Sequence, residues 1–386
     1  MARKTGKEIE QIKQELGIHK IWSWSKINTY MTDPFEYLLK YVLKVQEDRN
    51  DSIYSVSGGT AHDIVEEFYQ GKIDNQGILE KYEDKLFEFN TLGLMYDRSD
   101  KDKNEKIASK YEDCMRHFFL NHKKATNKPI LEPFILIKVG SQYFQGYIDI
   151  VFVEERNGRK KIILTDWKTS SIYKGAKLLK ESGQILLYGE GIHQKTNMPY
   201  EDIVIRFNFM KYVNITYTQK KGDIKIRQVE RNAIGNSLQA NVKTWLKHYK
   251  YTEDVIEDYL AQMIDTNGIE CLPEEIKEKF KIEDCYTEVE LNEEIINEHK
   301  NNIIKIIMEI TKKELEYEKT KDKNIFWQDI DKNSSYYHAN LSGYSSKIHE
   351  PYKRYLEELD IRDGIKKIKK DDDNDIEDLS WLDEII

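Results

Sequence analysis

The chain has 386 residues, 39% hydrophobic and 33% charged, with 6 Trp, 25 Tyr and 13 Phe, which is enough for two or three domains with a packed core and excludes a disordered polymer. No apolar run approaches the ~18 residues a membrane span needs, and Met1 to Gln14 lacks the apolar stretch of a secretory leader, so the expectation is a soluble, cytoplasmic protein with no membrane partner. The formal charge of −9 arises at the end of the chain, because Asp371 to Ile386 holds eight acidic residues and no basic one, leaving a nearly neutral body of 60 basic against 61 acidic residues in which a local basic groove is not excluded.

Four stretches separate by pattern: a mostly helical 1–128, a strand-rich 129–232, a helical 233–365 and a charge-segregated tail 366–386. In the first, Ser25 to Tyr30 opens a short helix. Asp33-Pro34-Phe35-Glu36 reads as a fresh helix start, with Asp33 as cap, Pro34 in the first turn and Glu36 closing a capping box. Ser57-Gly58-Gly59-Thr60 reads as a loop. The helix after it carries Ile64, Val65 and Phe68 on one side and His62 with Glu66 on another. Phe134–Val139 and Gly146–Val153 read as strands, Asn157-Gly158 as a hairpin turn and Lys161–Lys168 as the return strand. A helix over 182–195 follows, then strands over 203–212 and 214–228 with a turn at Lys221-Gly222-Asp223. This order predicts an α/β fold whose mixed central sheet carries a helix on one face. Leu291 to Tyr317 reads as one long helix.

The chemistry concentrates in the strands. Asp166 and Lys168 are two apart and share a face, and the hairpin brings Asp149 beside Asp166. Two adjacent carboxylates repel unless a cation joins them. A hard divalent ion such as Mg²⁺ or Mn²⁺ resolves this, and a neighbouring lysine suits phosphodiester hydrolysis. A surface Asp–Lys pair explains Asp-x-Lys equally well when taken alone. What points further is an ordered set: Gly59-x-x-His62, Gly146-x-x-Asp149, Asp166-x-Lys168-Thr169 and Gln184-x-x-x-Tyr188.

That set resembles the PD-(D/E)XK nuclease superfamily. Within it, the set looks like the branch of RecB- and AddB-type nuclease domains and the CRISPR-adaptation iron–sulfur exonucleases. The resemblance runs from about Ser25 to Tyr188, and Gly146-x-x-Asp149 stands where the superfamily name has Pro-Asp. It implies a restriction-endonuclease-like core embedded in large helical N- and C-terminal regions. It also implies Asp149 and Asp166 as metal-binding carboxylates, Lys168 as catalytic lysine, His62 as a further metal ligand, and the Trp167 carbonyl completing the shell. Gln184 and Tyr188 would position the lysine and DNA. Thr169 and Ser170, and Lys174 nearby, are candidate phosphate contacts or plain turn residues. Relatives that hold an iron–sulfur cluster place a Cys before a Pro in the early helix and three more near the C-terminus. Here Asp33-Pro34 and a cysteine-free 326–346 stand instead, and Cys114, Cys271 and Cys285 lie elsewhere. No cluster is expected, and Tyr336, Tyr337 and Tyr344 are expected to staple the termini.

No G-x-x-x-x-G-K-[ST] occurs, so no nucleotide cofactor is expected, and processing of long DNA would need threading or a separate helicase. Lys160, Lys161, Lys174, Lys177, Lys180, Lys220, Lys221, Lys225 and Arg227 could track phosphates or form solvated faces. The tail 371–386, ending in Trp381, Leu382, Ile385 and Ile386, suits docking on a protein partner, folding back over a basic groove, or simple solubilisation. The sequence thus predicts a Mg²⁺- or Mn²⁺-dependent DNA exonuclease of recombination, repair or replication. The alternatives are a structure-selective flap endonuclease and a non-catalytic DNA-binding or assembly subunit.

Overall fold

A computed structural model describes residues 3–374 other than 51 and 157. Residues 375–386 of the acidic tail, read as docking a partner, folding back over a basic groove or solubilising, and Asn157 of the expected hairpin turn therefore lie outside the described residues. The chain divides into two compact units, Met1–Trp24 with Ile53–Lys305, and Ser25–Ser52 with Ile306–Ile386.

Helices α1 (Gly6–Leu16), α2 (Trp24–Thr32), α3 (Pro34–Tyr37), α4 (Ile53–Gln70), α5 (Asn75–Thr91) and α6 (Lys101–Asn121) precede the strands. The strands are β1 (Ile130–Leu131), β2 (Phe134–Val139), β3 (Gln142–Tyr147), β4 (Ile150–Arg156), β5 (Arg159–Lys168), β6 (Ile203–Thr218), β7 (Ile224–Glu230) and β8 (Phe280–Val289). Between β5 and β6 run α7 (Ala176–Glu181) and α8 (Gly183–Thr196). Between β7 and β8 run α9 (Ile234–His248), α10 (Glu253–Thr266) and α11 (Glu274–Lys277), and α12 (Glu293–Thr320) and α13 (Glu350–Asn374) follow.

The first unit is built on a mixed sheet in the order β1-β4-β5-β6-β7, with β8 also on β6, and β2 and β3 form a separate ribbon. β4 and β5 are antiparallel with Ile150 opposite Thr165. β5 and β6 are parallel, with Lys168 opposite Phe209, and α8 lies in the crossover that a parallel pair requires. The expected mixed α/β architecture of a restriction-endonuclease-like core is present. One face of the sheet packs on α4, α5 and α6 through Ile64, Phe68, Tyr82, Phe118, Ile163 and Trp167. Among the described residues no helix is long and apolar enough to cross a membrane.

Three local expectations are corrected. Ser57 to Thr60 is not a loop but the middle of α4. Two glycines in a helix cost about 1 kcal/mol each relative to alanine, and the packing of Ile64, Val65 and Phe68 in the core outweighs that cost. A Cβ on Gly58 would sit 3.5 Å from Thr169 Oγ1, and the Ser57 hydroxyl lies 3.3 Å from Tyr111 Oη. Gly146 to Val153 is not one strand: β3 ends at Tyr147 and β4 begins at Ile150, so Ile148 and Asp149 form a bend between the ribbon and the main sheet. Finally, the helical C-terminal stretch contains β8, which pairs antiparallel with both halves of β6 across an irregularity between Asn208 and Val213. β6 is itself continuous from Ile203 to Thr218, and the chain then turns at Gly222, whose φ is 91°.

In the second unit, Asp33 caps α3 by accepting from the N–H groups of Phe35 (2.8 Å) and Glu36 (3.2 Å). The Glu36 carboxylate does not close a capping box. It is buried and accepts from Tyr337 Oη and Ser342 Oγ, each at 2.9 Å, because donors from the distant chain segment outcompete a local backbone N–H. Tyr344 is buried and donates to the carbonyl of Val45 at 2.9 Å. Tyr337 and Tyr344 therefore join segments some 300 residues apart, as expected, whereas Tyr336 is 40% exposed.

β8 is fixed by charge as well as register. Asp284 lies 2.5 Å from Arg231 and 2.9 Å from His122 Nδ1. Burial pushes its carboxyl up, but His122 and Arg231 outweigh this and hold it at about 2. A depressed carboxyl stabilises the fold above its unfolded pKa and loses that contribution as pH falls through the folded value. Asp284→Asn is therefore predicted to cost at least about 2 kcal/mol at pH 7 by urea unfolding, with the gap to wild type closing between about pH 4 and 2; a gap independent of pH would contradict this.

Candidate metal and catalytic centre

The site is assembled at the ends of β4 and β5. Carrying their register one step past Ile150–Thr165 sets Asp149 across from Asp166. The bend lets the Asp149 side chain turn back, where its Oδ2 accepts from the Trp167 backbone N–H at 2.8 Å. Asp166 and Lys168 share a face of β5, and the Lys168 ammonium lies 2.6 Å from Asp166 Oδ2. Trp167 points the other way, into the core, stacked on Tyr69 and edge-on to His62. His62 reaches in from α4. Its Nε2 lies 2.9 Å from the Trp167 carbonyl oxygen, which only an N–H satisfies, and its Nδ1 lies 3.5 Å from Asp149 Oδ1.

The electrostatics follow from this crowding. Burial pushes both carboxyls up. For Asp149 the His62 ring, Lys168 and the Trp167 N–H overcome that and hold it below the usual range. For Asp166 burial prevails over the pull of Lys168, with Asp149 adding to the rise. This is the splitting expected of two neighbouring carboxylates. Burial opposes the charge on Lys168 and His62, but the paired aspartates win, so both are held above their ordinary values.

The Gln184 amide donates to Tyr188 Oη at 2.9 Å. Burial raises the Tyr188 phenol, and the charges of Asp166 and Asp149 act on it next. A Cβ on Gly146 would fall 2.4 Å from the Tyr188 ring, so glycine is what lets Tyr188 lie over the ribbon. Gly183 plays the same part for Trp24, whose ring would meet a Cβ at 1.9 Å.

The donor set fits a hard divalent ion. It offers two carboxylates, a carbonyl and an imidazole, and Asp166 Oδ2 is buried without a well-formed hydrogen bond. As placed, the ligand atoms of His62, Asp149 and Asp166 do not all lie within 4.8 Å of one another, because Lys168 holds Asp166 and His62 spends Nε2 on the very carbonyl expected in the shell. Binding therefore requires Asp166 to leave Lys168.

The other candidates scatter. Thr169 lies against α4, its Oγ1 3.5 Å from where a Cβ on Gly58 would sit, and Ser170 Oγ lies 3.0 Å from Tyr173 Oη. Tyr173 is itself edge-on to Phe207 and Phe209. Lys174 is exposed. Lys160 lies eight residues before Lys168 on β5, about 26 Å away at ~3.3 Å per residue, so it cannot serve the same centre. Sequence reasoning missed Glu132, whose N–H donates to the Asp149 carbonyl at 3.1 Å and whose carboxylate pairs with Arg3 at 2.6 Å. Burial raises the Glu66 carboxyl, with Glu132 and Asp63 adding to it, so an acidic rim adjoins the site. No motif at Glu132 announces this; only the fold brings it there.

A profile of the PD-(D/E)XK nuclease superfamily matches residues 21–282, more than half the chain. No curated protein matches it.

Removing one partner of a buried pair leaves its counter-charge stranded. Lys168→Met is predicted to lower stability by about 2–4 kcal/mol in metal-free urea unfolding, and adding Asp166→Asn to recover most of it. An unchanged midpoint in the single variant would show that the pair is not formed.

Proposed function

The chain belongs to the PD-(D/E)XK nuclease superfamily, and from that premise we propose that it is a Mg²⁺- or Mn²⁺-dependent DNA exonuclease of the RecB- and AddB-type branch, acting on DNA ends in recombination, repair or replication. The observation that carries the reading is that His62 from α4, Asp149 from the β3–β4 bend and the Asp166–Lys168 pair from β5 adjoin one another at the ends of β4 and β5. The exonuclease assignment itself rests on the likeness of the ordered motif set to that branch.

Asp149, Asp166, His62 and the Trp167 carbonyl would hold the ion, which when bound polarises a phosphoryl oxygen and eases the approach of water. The remaining chemistry belongs to the chain. Lys168, held protonated by the two aspartates, is no proton acceptor in this arrangement; it is a buried cation that stabilises charge gathering on the phosphate. Tyr188 keeps its proton through burial and, braced by Gln184, orients the group next to Lys168. His62 carries a proton on Nε2 against the Trp167 carbonyl and must give it up or turn to become a ligand. Lys174, Ser170 and Thr169, on the segment leaving β5, contact the substrate backbone. A separate helicase would supply strand separation.

Linear single- and double-stranded DNA is predicted to be degraded only with Mg²⁺ or Mn²⁺, and Asp166→Ala or Lys168→Ala to slow this by about 10²–10³-fold. Full activity in either variant would refute the site, and cleavage of covalently closed circles would replace the exonuclease by an endonuclease.

A further inference from the structure

The second unit contains a cluster that the nuclease reading does not use. Asp33, His338 and His349 are all buried, and one ligand atom from each lies within 4.8 Å of the other two; among the described residues they are the one group of three His, Cys, Asp or Glu side chains to do so. His349 Nε2 is 2.5 Å from Asp33 Oδ2, and His338 Nδ1 is 3.7 Å from the same oxygen. That Nδ1 is the telling atom. The His338 ring is 2% exposed, yet Nδ1 has no hydrogen-bond partner, a costly arrangement for a buried polar atom. Burial brings the His338 imidazole down to about 4, so near neutrality it is an uncharged ring.

We infer that Asp33, His338 and His349 form a second metal site, for a first-row divalent ion of intermediate softness such as Zn²⁺ or Fe²⁺. Two imidazoles and one carboxylate are the donors such ions select over Mg²⁺. Tetrahedral ligands at ~2.0–2.1 Å stand about 3.3 Å apart, so the observed 2.5 and 3.7 Å need shifts of only some tenths of an ångström. The outer contacts are in place. Asp33 Oδ1 is fixed by two backbone N–H groups, and the His338 ring stacks on Tyr352. Arg49 donates to the carbonyls of His338 and Ala339. One bond must change. His349 Nδ1 accepts from the Tyr352 N–H at the start of α13, at 3.1 Å, so Nε2 carries the ring proton, and an ion at Nε2 displaces it. Because Asp33 and His349 are 316 residues apart, an ion here clamps the start of α3 to the start of α13.

The test uses the full chain, stripped with chelator, loaded with Zn²⁺ and dialysed against excess Mg²⁺. Wild type is expected to retain about one Zn²⁺ per chain by elemental analysis, and Asp166→Ala to retain it equally. His338→Phe, which keeps the stacked ring, and Asp33→Asn, which keeps a capping oxygen, are expected to lose it. Co²⁺ in place of Zn²⁺ should give a visible absorption band in wild type and Asp166→Ala that vanishes in His338→Phe. Zinc lost from wild type, kept in His338→Phe, or lost in Asp166→Ala overturns the inference. Should the cluster variants fail to fold, the stripped wild type decides: its melting temperature must rise with Zn²⁺ and not with Mg²⁺, and the absence of that rise overturns it too.

Discussion

Two carboxylates at the buried end of a β-sheet are the constraint around which the first unit is organised. Asp149 and Asp166 face each other because β4 and β5 are antiparallel in a fixed register, and neither can be ionised there without a cation at hand. The ammonium of Lys168 and the imidazole of His62 answer that need within the chain. The same charges keep the lysine protonated, which makes it an electrostatic rather than a basic participant. Asp149 and Asp166 would hold a divalent ion that supplies the same compensation more strongly, and Lys168 would then be a cation beside the phosphate.

This arrangement depends on close approach, and the approach depends on small residues. α4 brings His62 to the end of β5 with the Ser57 hydroxyl against Tyr111. Tyr188 can lie beside Asp166 because Gly146 has no side chain to obstruct it. Glycines that weaken a helix or strand locally are thus repaid by packing elsewhere, a local inconsistency of the kind found at functional sites.

Much of this was legible in the sequence. The apolar runs at 134–139 and 161–168 marked β2 and most of β5, the Asp166-x-Lys168 spacing fixed a shared face, and four-residue spacing put Gln184 beside Tyr188, where a hydrogen bond joins them. What failed did so for physical reasons. Local rules read Ser57-Gly58-Gly59-Thr60 as a breaker, but the packing of α4 overrode propensity. Asp149 sits in an apolar run that looks like one strand, and its own hydrogen bond to Trp167 accompanies the break. β8 was hidden because charged residues interrupt its alternation, Asp284 being half-buried against Arg231 and His122. Glu132 and the Asp33–His338–His349 cluster join residues too far apart in sequence for any spacing rule to see, although the Asp33 cap itself was plain.

A metal-dependent nuclease at this site requires the first unit's aspartates to share an ion. The direct measurement is anomalous diffraction from a crystal grown with Mn²⁺. The prediction is a peak within bonding distance of both Asp149 and Asp166, with the Lys168 ammonium withdrawn from Asp166. A well-ordered site without such a peak, or with the aspartates still bound to Lys168 and the Trp167 N–H alone, would contradict it.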